Sequence, residues 1–104
     1  MPLEVVRHPQ FDGDFLSLPF AIRDECWRVV GVLRRRPFAP GLGFRVEKLR
    51  RITTVEAWSA HFLNNQYRLL YVVDGEHLIL FGVGARPGFY RRLDRLRRKN
   101  LHPS

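Results

Sequence analysis

The sequence predicts an α+β fold, with an N-terminal strand and helices packed on an antiparallel β-sheet. Two observations predict it. Between positions 18 and 33, apolar residues recur every three or four residues, as on one face of a helix. From Phe44 onward, short apolar runs alternate with turn residues, as in a meander of strands. With 104 residues, 45% of them hydrophobic, the chain is expected to form one domain over 1–104.

The first half of the chain begins with a strand and continues with helix. Leu3 to His8 is a β-rich run that ends before a proline, which predicts the first strand. Phe11 to Leu18 is expected to form either a short helix or a turn. Pro19 is expected to open a helix that runs to about Arg36. The apolar stripe of this helix consists of Leu18, Ile22, Cys26, Val29, Val30 and Leu33.

The second half of the chain is predicted to be all strand. The predicted strands are Phe44 to Leu49, Val55 to Leu63, Gln66 to Val73, and His77 to Val83. Asn64-Asn65 is expected to be a two-residue hairpin loop, because asparagine tolerates positive φ. Asp74-Gly75 is expected to form the next tight turn. The last two strands are apolar on both faces, which predicts that they lie centrally in the sheet.

The charge of the chain favours an anionic partner. Eighteen Lys and Arg residues against ten Asp and Glu residues give a net charge of +8, and sixteen of the cations are arginine. Arginine presents a planar fork that suits phosphate. Nucleic acid is favoured over a membrane, because no helix combines the positive charge with a broad apolar face. The candidate nucleic-acid-binding residues are Arg45, Lys48, Arg50, Arg51, Arg91 and Arg92.

Several classes of protein are disfavoured by the sequence. A single cysteine, Cys26, excludes an internal disulfide and a cage of cysteine ligands. No histidines or carboxylates have the spacing of a known metal site, so neither a metal nor another cofactor is expected. No secretory signal and no run of about 20 apolar residues is present. We therefore expect a protein of the reducing cytoplasm, without a membrane partner.

The predicted Asn64-Asn65 loop aligns two polar residues. It places His61 directly opposite Arg68, with Cβ atoms about 5 Å apart on one face of the sheet. Ser59 shares that face. In the next hairpin, the predicted turn places Arg68 opposite Phe81.

Beyond the last predicted strand, Arg86 and Tyr90 follow at the same end of the sheet. Together with His61 and Arg68, these are groups that metal-free RNA cleavage can use. His61 could act as base or acid, the two arginines could hold the phosphate, and Tyr90 could stack on a base or transfer a proton. The product would be a 2′,3′-cyclic phosphate. Alternatively, Arg68 pairs with a carboxylate, His61 is a half-buried polar residue and Tyr90 only packs on the sheet.

The chain resembles the RelE/ParE superfamily of toxins from bacterial type II toxin–antitoxin modules, over about Leu3 to Leu96. The resemblance rests on Lys48-Leu49, on Tyr67 to Tyr71, and on Val83 to Arg86 followed by Phe89-Tyr90. It implies a small RelE/ParE-like fold with helices on a curved antiparallel sheet. It also implies a cognate antitoxin as partner.

The resemblance leaves three functions open. In the RelE branch, such proteins cleave mRNA in the ribosomal A site, using residues at the positions of Arg68, Arg86 and Tyr90. Ser59 and His61 stand where the best-known members have lysines. The first hypothesis is therefore a ribosome-dependent mRNA endonuclease whose partners are the ribosome and mRNA. The second is a ParE-like inhibitor of DNA gyrase without nuclease activity, and the third is a degenerate member that only binds its antitoxin.

Overall fold

The computed structural model describes residues 2–49 and 56–88. Two helices and five strands are formed in this part of the chain, in the order that follows. The elements are β1 (Glu4–Arg7), α1 (Pro9–Leu16), α2 (Phe20–Leu33), β2 (Phe44–Leu49), β3 (Ala57–Phe62), β4 (Tyr67–Asp74), β5 (His77–Ala85) and a 3-10 turn (Arg86–Gly88). The predicted α+β fold is confirmed.

The five strands form one sheet in the order β1-β5-β4-β3-β2. Strands β2 to β5 make the predicted antiparallel meander. Strand β1 joins the edge of this sheet and runs parallel to β5, so the complete sheet is mixed. The chain enters the sheet beside its last strand and then crosses through both helices to the opposite edge.

Both helices begin at signals that are visible in the sequence. The His8 imidazole caps α1, since Nδ1 accepts a hydrogen bond from the backbone amide of Gln10 at 3.1 Å. Pro9 then occupies the first turn, where a proline costs no hydrogen bond. The segment predicted as either helix or turn is therefore helical, and it starts two residues earlier than expected. The second helix begins after Pro19 and ends at Leu33, three residues before the predicted end.

The sheet is apolar on both faces. The helices cover one face, where the core contains Phe11, Cys26, Val29, Val30, Leu33, Phe62, Leu69, Tyr71, Leu78, Leu80 and Val83. On the other face, a second cluster contains Ala57, Leu70, Val72, Ile79 and Phe81, with Val6 and Leu49 packed against it. Strands β4 and β5 contribute to both clusters, and they lie inside the sheet as predicted.

The β3–β4 hairpin has the predicted register. His61 pairs with Arg68, and the backbone amide of Gln66 donates to the Leu63 carbonyl at 3.1 Å across the turn. Asn64 and Asn65 have φ of 56° and 67°, the left-handed conformation that a tight hairpin turn requires. The alignment of β3 against β4 is therefore the one that a turn with Asn64 and Asn65 at its centre predicts.

The predicted turn between β4 and β5 is wrong by one position. Asp74 pairs with His77, so Gly75 and Glu76 are the central residues of the turn. Gly75 has φ of 59° and occupies the first central position. Glycine adopts this conformation at no steric cost, and one class of hairpin turn places it there.

A bulge shifts the same pair of strands once more. The register changes between Leu70 and Tyr71, so that Arg68 faces Gly84 and not Phe81 as predicted. A bulge adds one residue to one strand, and an alternating pattern of apolar residues does not reveal it when both faces are apolar. On β5, the residue that faces Arg68 is therefore a glycine, which has no side chain.

Candidate active site

One row of residues crosses four strands near the β3–β4 turn. Arg45 pairs with His61, His61 pairs with Arg68, and Arg68 pairs with Gly84. Successive side chains of a strand point to opposite faces, and the neighbouring Phe62 lies in the core beneath the helices. The row therefore lies on the face opposite the helices, with an imidazole between two guanidinium groups.

His61 is buried at the centre of this row, with 3% of its surface exposed. Its Nε2 atom lies 3.3 Å from Oε2 of Glu47, a residue of β2 whose carboxylate is half exposed. Ser59 precedes His61 on the same face and is fully buried. Within the described part of the chain, the Ser59 hydroxyl has no hydrogen-bond partner. Polar groups thus lie beside the imidazole on its own strand, β3, and on the neighbouring strand, β2.

The surroundings of His61 lower its pKa from the ordinary value of 6.5. Burial is the largest cause, because it disfavours the charged imidazolium, and the positive charges of Arg68 and Arg45 act in the same direction. The Glu47 carboxylate and the Asn65 side chain oppose them by raising the pKa. The net effect is a neutral imidazole at neutral pH, which is the form that accepts a proton.

Arg86 lies at the end of β5, beside the β3–β4 turn. Its backbone amide donates to the Gln66 carbonyl at 2.8 Å, and its side chain is exposed. An open pocket of about 350 Å³ separates the turn from the end of β5. It is lined by Asn64, Asn65, Gln66, Tyr67, Ala85, Arg86 and Pro87. Arg86 is therefore available to an anion that enters this pocket.

The structure unites some of the candidate residues and separates others. His61 and Arg68 are neighbours, Arg45 extends their row, and Arg86 follows Gly84 by two residues along the chain. Lys48 pairs with Trp58, so the alternation of side chains along β2 places it on the opposite face from Arg45. Its Nζ atom lies 2.8 Å from Oε1 of Glu56. Five candidates fall outside the described residues: Arg50, Arg51, Tyr90, Arg91 and Arg92.

Two residues of this site were not found from the sequence. Glu47 follows Arg45 by two positions, so it shares the face of His61, but its partner across the ladder depends on the β2–β3 register. No turn motif in the sequence specifies that register. Asn65 was interpreted only as a turn residue, yet its Oδ1 atom accepts a hydrogen bond from Nε of Arg45 at 3.2 Å.

Within residues 2–49 and 56–88, no three His, Cys, Asp or Glu side chains are grouped so that they could hold a metal ion. Neither helix in these ranges is long and apolar enough to cross a membrane.

Comparison with known proteins relates the chain to solved structures. No family model and no curated protein sequence matches it. A chain of the archaeal RelE–RelB complex from Pyrococcus horikoshii OT3 is 24% identical, with a TM-score of 0.67 over 83% of this chain and 97% of that chain. A chain of the toxin–antitoxin complex RelBE2 from Mycobacterium tuberculosis is 25% identical, with a TM-score of 0.64 over 83% of this chain and 100% of that chain.

A third structure has a different assembly. A chain of the YoeB dimer from Staphylococcus aureus is 22% identical, with a TM-score of 0.64 over 79% of this chain and 94% of that chain. Each of these three chains is matched along nearly its whole length, so the similarity covers the complete fold and not one hairpin. The sequence resemblance is thus confirmed at the level of structure: the chain has the fold of the RelE toxins.

Proposed function

We propose that the chain is the toxin of a type II toxin–antitoxin module and that it cleaves translated mRNA on the ribosome without a metal. The observation that carries the proposal is the row of Arg45, His61 and Arg68, in which a neutral imidazole lies between two cations. Arg86 adds a third cation at the same end of the sheet. A base beside several phosphate-binding groups is what RNA cleavage by the 2′-hydroxyl needs.

The proposed reaction is an internal transfer within the RNA. The 2′-oxygen attacks the adjacent phosphorus, and the bond from phosphorus to the 5′-oxygen breaks. His61 accepts the proton of the 2′-hydroxyl, and Arg68 and Arg86 stabilise the negative charge that develops on the phosphate oxygens. The departing 5′-oxygen takes up a proton, for which Tyr90 is the candidate from the sequence. The products are a 2′,3′-cyclic phosphate and a 5′-hydroxyl.

The burial of His61 makes the ribosome part of this proposal. With 3% of its surface exposed, the imidazole does not reach an RNA that merely touches the free protein. The side chains of Arg45 and Arg68 flank it, and the binding of a phosphate would draw these cations outward. We therefore expect the base to become accessible only when mRNA is presented in a fixed conformation, as it is on a ribosome.

The cognate antitoxin is the second proposed partner. Two of the structures that share this fold are complexes, RelE with RelB and RelBE2. A net charge of +8 favours a segment rich in acidic residues as the part of the antitoxin that covers the site. Both proposed partners place the protein in the cytoplasm.

One observation favours a second function. A ParE-like inhibitor of DNA gyrase needs no accessible base, so the burial of His61 is compatible with a purely structural role there. In that case the basic row would bind a surface of the partner and would not act on a phosphodiester.

The experiment that separates these functions is translation of a defined mRNA in a bacterial cell-free system, with RNA ends mapped by primer extension. The wild-type protein should cut the mRNA only when ribosomes are present. Arg68→Ala should reduce cutting by about 10²–10³-fold, the loss typical of one group that stabilises transition-state charge. The matched control is Arg35→Ala, which removes the same charge from an exposed residue that follows α2.

Intact mRNA in the presence of folded wild-type protein would contradict the nuclease proposal. A gyrase supercoiling assay with the same preparation would then test the second function. Equal loss of cutting in Arg68→Ala and Arg35→Ala would show that net charge, and not the row, is responsible.

A further inference from the structure

We infer that Asn65 is a positioning residue of this site, which holds Arg45 against His61 and connects their row to the pocket that contains Arg86. This inference deepens the proposed function and takes its biological meaning from it.

The first contact of Asn65 is with Arg45. The Asn65 Oδ1 atom accepts a hydrogen bond from Nε of Arg45 at 3.2 Å, from the turn to the edge strand β2. Arg45 is exposed and lies on the outermost strand of the sheet, where a long side chain has many conformations available. The amide of Asn65 selects a conformation in which the guanidinium stays beside His61, its partner across the ladder.

The second contact is with His61 itself. The charged side chains that act on His61 are Arg45 and Glu47 from β2 and Arg68 from β4, and Asn65 approaches from the turn. Neither imidazole nitrogen has a hydrogen-bond partner among the described side chains, so Asn65 acts on His61 from the turn without a formed hydrogen bond. The Asn65 side chain raises the pKa of the imidazole, whereas Arg45 and Arg68 lower it. An interaction of this kind in a free enzyme is able to tighten once substrate is bound.

The third relationship is with the pocket. Asn65 lines it together with Arg86, and the backbone amide of Arg86 donates to Gln66, the residue that follows Asn65. The turn is thus hydrogen-bonded to Arg45 through the Asn65 side chain. It is hydrogen-bonded to Arg86, at the end of β5, through the backbone carbonyl of Gln66. The separation between Arg45 and Arg86 depends on the position of this turn.

The backbone alone does not require asparagine at position 65. A residue with φ of 67° in a two-residue turn is commonly Gly, Asp or Asn. Asn65→Gly therefore keeps the turn and removes only the amide. Asn64→Gly is the matched control for the titration, because Asn64 has φ of 56° and is not one of the described side chains that act on His61. Asn65→Asp keeps the acceptor and adds a negative charge beside His61.

The test is an NMR titration of the His61 imidazole in the folded protein, with its signals assigned by their absence from His61→Gln. Asn65→Gly should raise the His61 pKa relative to the wild type, because it releases Arg45, whose positive charge lowers that pKa more than the Asn65 side chain raises it. Asn65→Asp should raise the pKa, and Asn64→Gly should leave it unchanged. The inference is overturned if Asn65→Gly leaves the pKa where it was, or if both glycine variants move it equally.

Cleavage assays connect the titration to function. If His61 is the base, the acid limb of the pH–rate profile should move to higher pH in Asn65→Gly, by the same amount as the His61 titration. The titration requires neither RNA nor ribosomes, so the two conclusions fail separately. A shifted titration without any cleavage would retain Asn65 as a positioning residue and reject the nuclease.

Discussion

A carboxylate oxygen of Asp14, in α1, accepts a hydrogen bond from the backbone amide of Val83, in β5, at 3.2 Å. Strand β1 ends opposite Leu80, so β5 continues beyond the strand that lies beside it. At Val83, β1 no longer lies beside β5, so no carbonyl of β1 is available to the buried Val83 amide. Asp14 supplies the acceptor instead. The next residue, Gly84, faces Arg68. A helix on one face of the sheet is therefore hydrogen-bonded to β5 at the residue next to the one that faces Arg68.

Replacement of Asp14 by alanine should destabilise the fold. Asp14 is 8% exposed, and its loss leaves the Val83 amide buried without this acceptor. An unsatisfied buried donor costs about 1–3 kcal/mol, which urea unfolding measures. Asp14→Asn retains a side-chain oxygen and should lose less. Asp24→Ala removes an exposed carboxylate from α2 and serves as the control; an equal loss there would reject the special role of Asp14.

The stability of the protein should fall in mild acid because of His61. The folded state holds the pKa of this imidazole below its ordinary value of 6.5, so the unfolded state binds the proton more readily. The contribution to stability is complete above about pH 6.5 and is lost as the pH falls from there toward the folded-state pKa. Urea unfolding between pH 5 and pH 8 should show this slope in the wild type.

His61→Gln should have a flatter dependence below about pH 6.5, since the titrating group is gone. Above pH 7 the curves of wild type and variant should run parallel. If the stability of the wild type and of His61→Gln falls with the same slope in the acid range, other groups cause the loss. The prediction that folding lowers the His61 pKa would then be wrong.

Cys26 should resist thiol reagents in the folded protein. The side chain is fully buried in the helix-side core, and burial raises the pKa of the thiol to about 12. At pH 8, the thiolate fraction falls roughly a thousandfold relative to a thiol with the ordinary value of 9.0. Ellman's reagent should therefore react with the unfolded chain and leave the native chain nearly untouched. A native rate close to the unfolded rate would show that the thiol is accessible.

Two glycines should respond to alanine in opposite directions. A methyl group at Gly31, inside α2, or at Gly75, in the β4–β5 turn, would meet no atom within 4 Å. Gly31→Ala should stabilise the protein by about 0.5–1 kcal/mol, because glycine is the weaker helix former. Gly75→Ala should destabilise it by about 1–2 kcal/mol, because φ is 59° there. Changes of the same sign in urea unfolding would contradict this account.

Features that depend only on neighbouring residues are predictable from the amino-acid sequence alone. The apolar stripe of α2 is a property of spacings of three and four along one segment, and its buried members are those predicted. The pairing of His61 with Arg68 likewise follows from a turn with two asparagines between them. The turn conformation and the register it specifies are both local.

The surroundings of that pair arise only in the folded chain. A bulge places Gly84 opposite Arg68. The residue before Gly84, Val83, is hydrogen-bonded to Asp14, which lies 69 positions earlier in the chain. The lowered pKa of His61 is the sum of burial, of charges from two neighbouring strands and of an amide in the turn, and no spacing in the sequence reveals that sum. Long-range packing and electrostatics add contributions from separate segments, so they exist only once the chain has folded.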